Sequence, residues 1–124
     1  MRKLETGKQK LEKAEQFEGN AMRELKERTK ELALRILRLH RALPKSAAAD
    51  VIGRQLLRSG TSVGANYREG IRARSPIEYA AKLNIALMEL EETAYWLELL
   101  AEGDLVKSAK LSALRGEGSE LTAI

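Results

Sequence analysis

The chain has no cysteine, two prolines and five aromatic residues among its 124 residues. Without cysteine, disulfide bonds, thiolate zinc sites and thiol nucleophiles are excluded. The scarcity of aromatic and β-branched side chains argues against a sheet protein, because those residues favour strands. No apolar run approaches the ~18 residues that a membrane-spanning helix needs, and the first residues lack an apolar signal segment. We therefore expect a soluble, cytoplasmic protein.

What the chain does contain is helix-forming residues and charge. Ala, Leu, Glu, Lys and Arg dominate, and all five are strong helix formers. Apolar residues make up 44% of the chain, which is enough to bury a core rather than remain disordered. A chain of 124 residues corresponds to one compact domain. The sequence predicts a single all-α domain.

The formal net charge of +4 is unevenly distributed along the chain. Residues 1–58 carry 15 Lys or Arg against 8 Asp or Glu, a net +7, whereas residues 59–124 carry 7 against 10, a net −3. A separated positive field favours a polyanion partner, because Lys and Arg displace condensed counterions from phosphates. A solubilising mixture of charges explains the same composition, so charge alone does not decide between them.

Hydrophobic periodicity and end signals predict four helices. They run from about Met22 to Ala42, from about Ala47 to Ile71, from Ser75-Pro76 to about Ala101, and from about Leu105 onward. Pro44 ends the first helix, and Ser46 and Ser75 are the expected N-caps of the next two. Residues 1–20 are polar on nearly all sides and form either a frayed helix or a tail. We expect this extension to precede an up-down antiparallel four-helix bundle over residues 21–124.

Small residues interrupt the second predicted helix. Glycine inside a helix costs ~1 kcal/mol relative to alanine, so Gly60, Gly64 and Ala65 indicate close packing against a neighbouring backbone. The run from Ser59 to Gly64 superficially resembles a phosphate-binding loop. It lacks the Gly-Lys-Ser/Thr ending and no strand precedes it, so tight helix packing is the better interpretation.

The third predicted helix is apolar on two sides, and such a helix needs two partners. One face contains Leu83, Leu87, Leu90, Ala94, Leu97 and Ala101. The other, almost opposite, contains Ala81, Ile85, Met88, Trp96 and Leu99. The first face fits the bundle core. We expect the second to contact another subunit, with Ile85, Met88, Trp96 and Leu99 in an oligomer interface.

No set of residues predicts catalysis, a metal site or a cofactor site. His40 is the sole histidine, and no glutamate lies three residues before it, so the Glu-x-x-His pairs of di-metal bundles are missing. Glu89, Glu91, Glu92 and Glu98 are expected to form a solvated or salt-bridged helix face. We predict a protein that is not an enzyme and that takes no cofactor.

Eight arginines on the first two helices are candidates for binding nucleic acid, because the guanidinium group grips phosphate with two hydrogen bonds. They are Arg28, Arg35, Arg38, Arg41, Arg54, Arg58, Arg68 and Arg72. On antiparallel neighbouring helices they could form adjoining basic strips. No aromatic residue is interleaved with them, so recognition would follow backbone and shape rather than base stacking. The alternative is that these arginines are ordinary exposed helix positions.

Four stretches carry a resemblance to a known family: Gln55 to Gly70, Arg72 to Tyr79, Lys82 to Ala86, and Glu89 to Leu100. They resemble the bacterial four-helix-bundle proteins named for the intervening-sequence protein encoded inside large-subunit ribosomal RNA genes. The resemblance covers about Leu25 to Leu121, and its most specific part runs from Ser62 to Gly70. The matched signature positions are Ser62, Ala65, Asn66, Glu69, Gly70, Arg74 and Ser75.

The resemblance implies a ring-like homopentamer. It also implies a relation to the basic accessory protein of diversity-generating retroelements, which binds nucleic acid and a reverse transcriptase. It supplies no catalytic residues. Two functions follow as hypotheses: a non-enzymatic oligomer that binds RNA or DNA backbone, or a scaffold that docks a protein partner such as a reverse transcriptase. Asn66 and Glu69 are either a small polar site or, as we favour, groups that satisfy the crowded end of the second helix.

Overall fold

The computed structural model describes residues 4–124, and within that range the chain forms four α-helices and no strand. They are α1 (Gly7–Ala42), α2 (Ala47–Ile71), α3 (Pro76–Glu102) and α4 (Ser108–Ala123). Each helix packs on its neighbours in chain order, and α1 also contacts α4. The architecture is all-α and consistent with the predicted four-helix bundle.

Helix α1 begins 15 residues before the predicted start at Met22. Thr6 caps it: the Thr6 hydroxyl accepts the Gln9 N–H at 3.1 Å, and the Gln9 side chain accepts the Thr6 N–H at 2.9 Å. This reciprocal capping box is visible in the sequence as Thr-x-x-Gln. The helix continues without a break through Gly19 and Asn20. Residues 4–18 are all exposed, and Phe17 is 74% exposed.

A row of glycines on α2 sets the distance between α2 and α1. A Cβ on Gly64 would lie 3.2 Å from the Thr29 hydroxyl and 3.5 Å from the Thr29 carbonyl carbon. A Cβ on Gly60 would collide with Ile36, and one on Gly53 with Leu43. The predicted close packing is therefore confirmed for Gly60 and Gly64. Ala65 does not take part, because it lies on the exposed side of α2.

The core face of α3 differs from the predicted one. Leu90 and Leu97 are buried as expected, but Ala94 is exposed and Thr93 and Leu100 are buried instead. At 100° per residue, this rotates the core face by roughly 50° toward α2. The reason is that α2 is the main partner of α3, and the Thr93 hydroxyl hydrogen-bonds the buried Ser59 hydroxyl of α2 at 3.0 Å.

The turn after α3 explains why α4 begins at Ser108 and not near Leu105. The Leu105 N–H donates to the Leu100 carbonyl at 3.0 Å and the Asp104 N–H to the Ala101 carbonyl at 3.2 Å, which is a Schellman motif. Asp104, not Gly103, adopts the left-handed conformation, with φ 57°. The chain then needs residues 105–107 to turn back toward the bundle.

Helix α4 runs through two glycines without a break. Nothing lies within 4 Å of a Cβ built on Gly116. Alanine at this position removes the entropic cost of glycine in a helix. We therefore expect Gly116→Ala to raise the free energy of unfolding by about 0.5 to 1 kcal/mol, measured by urea denaturation. An unchanged urea midpoint would show that α4 contributes little to the folded state around Gly116.

Candidate nucleic-acid interface and assembly surface

Arg28 holds α4 against α1 and is not directed outward. Its guanidinium donates to the Glu117 carboxylate at 2.6 and 3.0 Å and to Glu120 at 3.2 Å. The Arg28 and Glu117 side chains are both partly buried. The hydrogen bond with Glu117 holds the pKa of Arg28 above its ordinary value. Arg28 is thus engaged between helices, and a phosphate would have to displace two carboxylates to reach it.

Arg58 is engaged with α3 in the same way. Its guanidinium forms ion pairs with Glu92 and, at 3.4 Å, with Glu89. The indole N–H of Trp96 donates to the same Glu92 carboxylate at 3.2 Å. The hydrogen bond with Arg58, supported by that with Trp96, lowers the pKa of Glu92. Glu89 and Glu92 therefore belong to the predicted salt-bridged face. The same network holds the indole N–H of Trp96 in place.

Two further arginines have exposed acidic neighbours on their own helices. Arg54 pairs with Asp50 at 2.6 Å, one helical turn before it, and Arg38 with Glu31 at 3.4 Å. Pairs as exposed as these contribute about 0 to 1 kcal/mol, so they leave the guanidinium groups accessible to a stronger anion. Among residues 4–124, the other four predicted arginines have no carboxylate within salt-bridge distance: Arg35, Arg41, Arg68 and Arg72.

The eight arginines do not form one strip. Arg35 and Arg38 face α4 and line, with Lys110, a groove of about 330 Å³ whose apolar floor includes Leu111 and Leu114. We call this the α1–α4 basic groove. Arg68 lies in the last turn of α2, about 20 Å along the helix from Arg54. Lys110, on α4, is a cation that the sequence did not single out, because its neighbours come from another helix.

The second apolar face of α3 is exposed over most of its length, except where Trp96 packs against the core and Leu99 is partly buried. Met88 is 61% exposed and Ile85 40%, while Trp96 and Leu99 are partly buried. The structure adds Ile77, 83% exposed, and Tyr95, 52% exposed, to this face. With Ala81 these residues form one stripe about 33 Å long, which we call the α3 stripe. Ile77 and Tyr95 follow the same helical spacing as the rest of this face, so they were predictable from the sequence.

The part of the chain from residue 22 to residue 124 matches the family model described as the 23S rRNA-intervening sequence protein. The chain belongs to this family. A crystal structure from Bacteroides thetaiotaomicron VPI-5482, described as a protein of unknown function from the S23 ribosomal protein family, has a TM-score of 0.77 and 37% identity to this chain. The alignment covers 82% of this chain and 91% of that one. No curated protein matches this chain.

In this member of the 23S rRNA-intervening sequence protein family, two signature residues, Arg74 and Ser75, lie in the connection between α2 and α3. The Asn66 amide donates to the Ser62 carbonyl at 2.9 Å. Ser75 caps α3 by accepting the Glu78 N–H at 3.1 Å, and the Glu78 carboxylate accepts the Arg74 N–H at 3.2 Å. The contacts of Ser75 and Glu78 supply partners at the start of α3, whereas the Asn66 bond lies inside α2, more than one turn before its end. The role favoured for Asn66 at the end of α2 therefore stays a prediction.

The remaining signature residues of the family lie on both sides of α2. Glu69 accepts a hydrogen bond from Lys82 of α3 at 2.7 Å, and not from Arg72 or Arg74. A Cβ on Gly70 would lie 3.3 Å from that of Lys82, so Gly70 lets α3 approach. Ala65 is exposed. It is the one signature position with no evident role inside the bundle.

Two further observations bear on the chemistry open to the chain. Over residues 4–124, no three His, Cys, Asp or Glu side chains lie together in a way that could hold a metal ion. None of the helices in the described part of the chain is long and apolar enough to cross a membrane.

Proposed function

We propose that this member of the family is a cytoplasmic, non-enzymatic homo-oligomer that binds the phosphate backbone of RNA or DNA. The observation that carries the proposal is the α1–α4 basic groove. Two arginines and a lysine from different helices meet there, and Arg35 and Lys110 have no carboxylate within salt-bridge distance in residues 4–124. Arg38 pairs only with the exposed Glu31, and cations clustered in this way are what a phosphate backbone requires.

Assembly would strengthen a site of this size. Three cations per chain give weak binding on their own. Copies repeated in a homo-oligomer bind one long polyanion simultaneously, which raises the overall affinity through effective concentration without new contacts. The family description, which refers to 23S rRNA, supports structured RNA as the partner to test. The exposed α3 stripe supports self-assembly, and the ring-like homopentamer implied by the resemblance is one form of it.

The test is fluorescence anisotropy with a labelled structured RNA over a range of salt concentrations. We expect micromolar or tighter binding at low salt, and an affinity that falls linearly with salt on a double-logarithmic plot. The double variant Arg35→Glu with Lys110→Glu is expected to lose at least tenfold in affinity and to reduce the salt slope by about 2. Helical circular dichroism verifies that the variant is folded.

The matched control is Lys8→Glu with Lys10→Glu, which makes the same change in net charge at exposed positions of α1. It is expected to alter the affinity less than twofold. Two results would refute the proposal. One is the absence of binding at low salt, and the other is an equal loss in both double variants, which would mean that only net charge matters.

A second candidate function is that of a scaffold or accessory factor that docks a protein partner such as a reverse transcriptase, the role that the resemblance to the retroelement accessory protein would imply. The exposed α3 stripe favours it, because a contiguous apolar patch on a surface marks an interaction site. A pull-down from the native host that recovers a reverse transcriptase after nuclease treatment, and no RNA before it, would favour this function over the first.

A further inference from the structure

All four helices line an apolar cavity beneath the last turn of α4. Its volume is about 270 Å³. The buried part of its wall takes residues from each helix: Thr29 of α1, Val63 and Tyr67 of α2, Ala86 and Leu90 of α3, and Leu121 of α4. The most exposed lining residues are Tyr79 and Ile124, so the mouth of the cavity lies between α3 and the end of α4. We call this space the α4-end cavity.

The wall of the α4-end cavity offers few groups that could hold water or an ion. Within residues 4–124, no charged residue lines it. The Tyr67 hydroxyl donates to the Met22 carbonyl at 3.3 Å, and burial raises the pKa of Tyr67, which keeps its phenol neutral. The Thr29 hydroxyl donates to the Lys26 carbonyl at 3.2 Å. Since a buried water needs about two to four polar partners, the cavity is suited to an apolar occupant.

A cavity of this size is unusual in the interior of a folded protein. Interiors are close-packed, and voids larger than a water molecule are few. Here the helix that covers the cavity is fixed in place, because Arg28 of α1 pairs with Glu117 at 2.6 Å and with Glu120 at 3.2 Å. Leu121 follows Glu120 directly, so the same ion pairs hold it over the cavity. The contacts between α1 and α4 therefore keep the space open.

We propose that the α4-end cavity is a binding site for a small, uncharged, apolar molecule. A cavity of about 150 Å³ with a comparable lining holds benzene. The larger space here, about 270 Å³, accepts a molecule of about ten non-hydrogen atoms, and burial of its apolar surface drives the binding. A polar group on this ligand has room only at the mouth of the cavity, because the buried hydroxyls already have partners.

This site goes beyond nucleic-acid binding and is separate from it in space. Arg35, Arg38 and Lys110 line the α1–α4 basic groove, and none of them lines the α4-end cavity. The two sites can therefore be tested independently of each other.

The test is a titration of the full chain, with isotope-labelled methyl groups, followed by NMR. The probes are indole, a flat aromatic molecule, and octanol, a flexible chain, each titrated separately. We expect at least one of them to shift the methyl signals of Val63, Leu83 and Leu121 in a saturable way, with a Kd below about 1 mM. The methyl signals of Leu56 and Leu111 should not move, because these residues lie in the core away from the cavity.

Ala86→Leu is the variant that fills the cavity. Ala86 is buried and lines the cavity, so the added carbons occupy the space that the probe needs. We expect the affinity for the probe to fall about tenfold or more. Without probe, the urea midpoint should rise, because filling a cavity restores lost contacts. If Ala86→Leu does not fold, Ala86→Val adds fewer carbons and should give a smaller loss of affinity.

The matched control is Ala80→Leu, the same substitution at an exposed position of α3, which should leave the affinity unchanged. Shifts confined to exposed methyl groups such as those of Ile77 and Met88 would place the probe on the α3 stripe and contradict the proposal. Equal affinities of the wild type and Ala86→Leu would contradict it as well, as would the lack of a saturable shift with either probe. RNA binding is measured separately by anisotropy, so these results leave it unaffected.

Discussion

The variant Gly64→Leu is expected to unfold at a much lower urea concentration than the wild type, with a loss of about 3 kcal/mol in the free energy of unfolding. A side chain at this position meets the Thr29 hydroxyl at 3.2 Å and the Thr29 backbone carbonyl carbon at 3.5 Å. The Cβ itself already touches Thr29, and the three further carbons of leucine find no space between two helices in contact, so α1 and α2 must separate. Separation opens the contact between Ile36 and Gly60 as well.

The matched control for this prediction is Gly116→Leu, which makes the same substitution where nothing lies within 4 Å of the new Cβ. Leucine is a better helix former than glycine, so the control should be neutral or slightly stabilising. Both are measured by urea denaturation at one protein concentration, since the stability of an oligomer depends on concentration. Equal urea midpoints for the two variants would show that α1 and α2 are not in backbone contact at Gly64.

The second large effect is expected from Leu97→Ala, which should lower the free energy of unfolding by about 2 to 5 kcal/mol. Leu97 is 1% exposed and belongs to the cluster that joins α3 to α1, α2 and α4. Removing three carbons there loses their burial and leaves a cavity. The expected loss in the free energy of unfolding spans a range because it depends on how far the neighbouring side chains move into the cavity.

Leu11→Ala is the control for the core substitution. Leu11 is exposed on the part of α1 that precedes the bundle, so its replacement should change the free energy of unfolding by about 0.5 kcal/mol or less. Thermal or urea unfolding of both variants gives the comparison. A Leu97→Ala variant as stable as Leu11→Ala would mean that α3 does not present Leu97 to the core.

Much of the fold was predictable because its signals are local. Ser46 and Ser75 were expected as N-caps and are N-caps, and α2 has the predicted bounds of Ala47–Ile71. The start of α1, 15 residues before the predicted one, also depends on a local signal, because the Thr6–Gln9 capping box lies within four residues. The rotated core face of α3 is different. Because Leu, Ala and Thr occupy neighbouring positions on α3, more than one face of this helix is apolar enough to be buried. The position of α2 decides which of these faces enters the core.

The same distinction between local spacing and contacts in space applies to the candidate site. An outward apolar face on α3 follows from spacing alone, as does the pair of Arg54 with Asp50 four residues before it. Whether an arginine is neutralised by a distant residue does not follow from spacing. Arg28 is held by Glu117, 89 residues later, and Arg58 by Glu92, 34 residues later. The sequence therefore offers eight equivalent arginines, and the structure separates them.

The sequence by itself determined the helices of this protein, their caps, the stop at Pro44 and the two-sided α3, because each depends on residues within one or two turns. Tertiary structure alone decided which cations remain without a carboxylate and which lie together. The physical reason is that an ion pair depends on distance in space. Packing of α1 against α4 brings Lys110 close to Arg35. Packing of α2 against α3 places Arg58 in ion pairs with glutamates of α3.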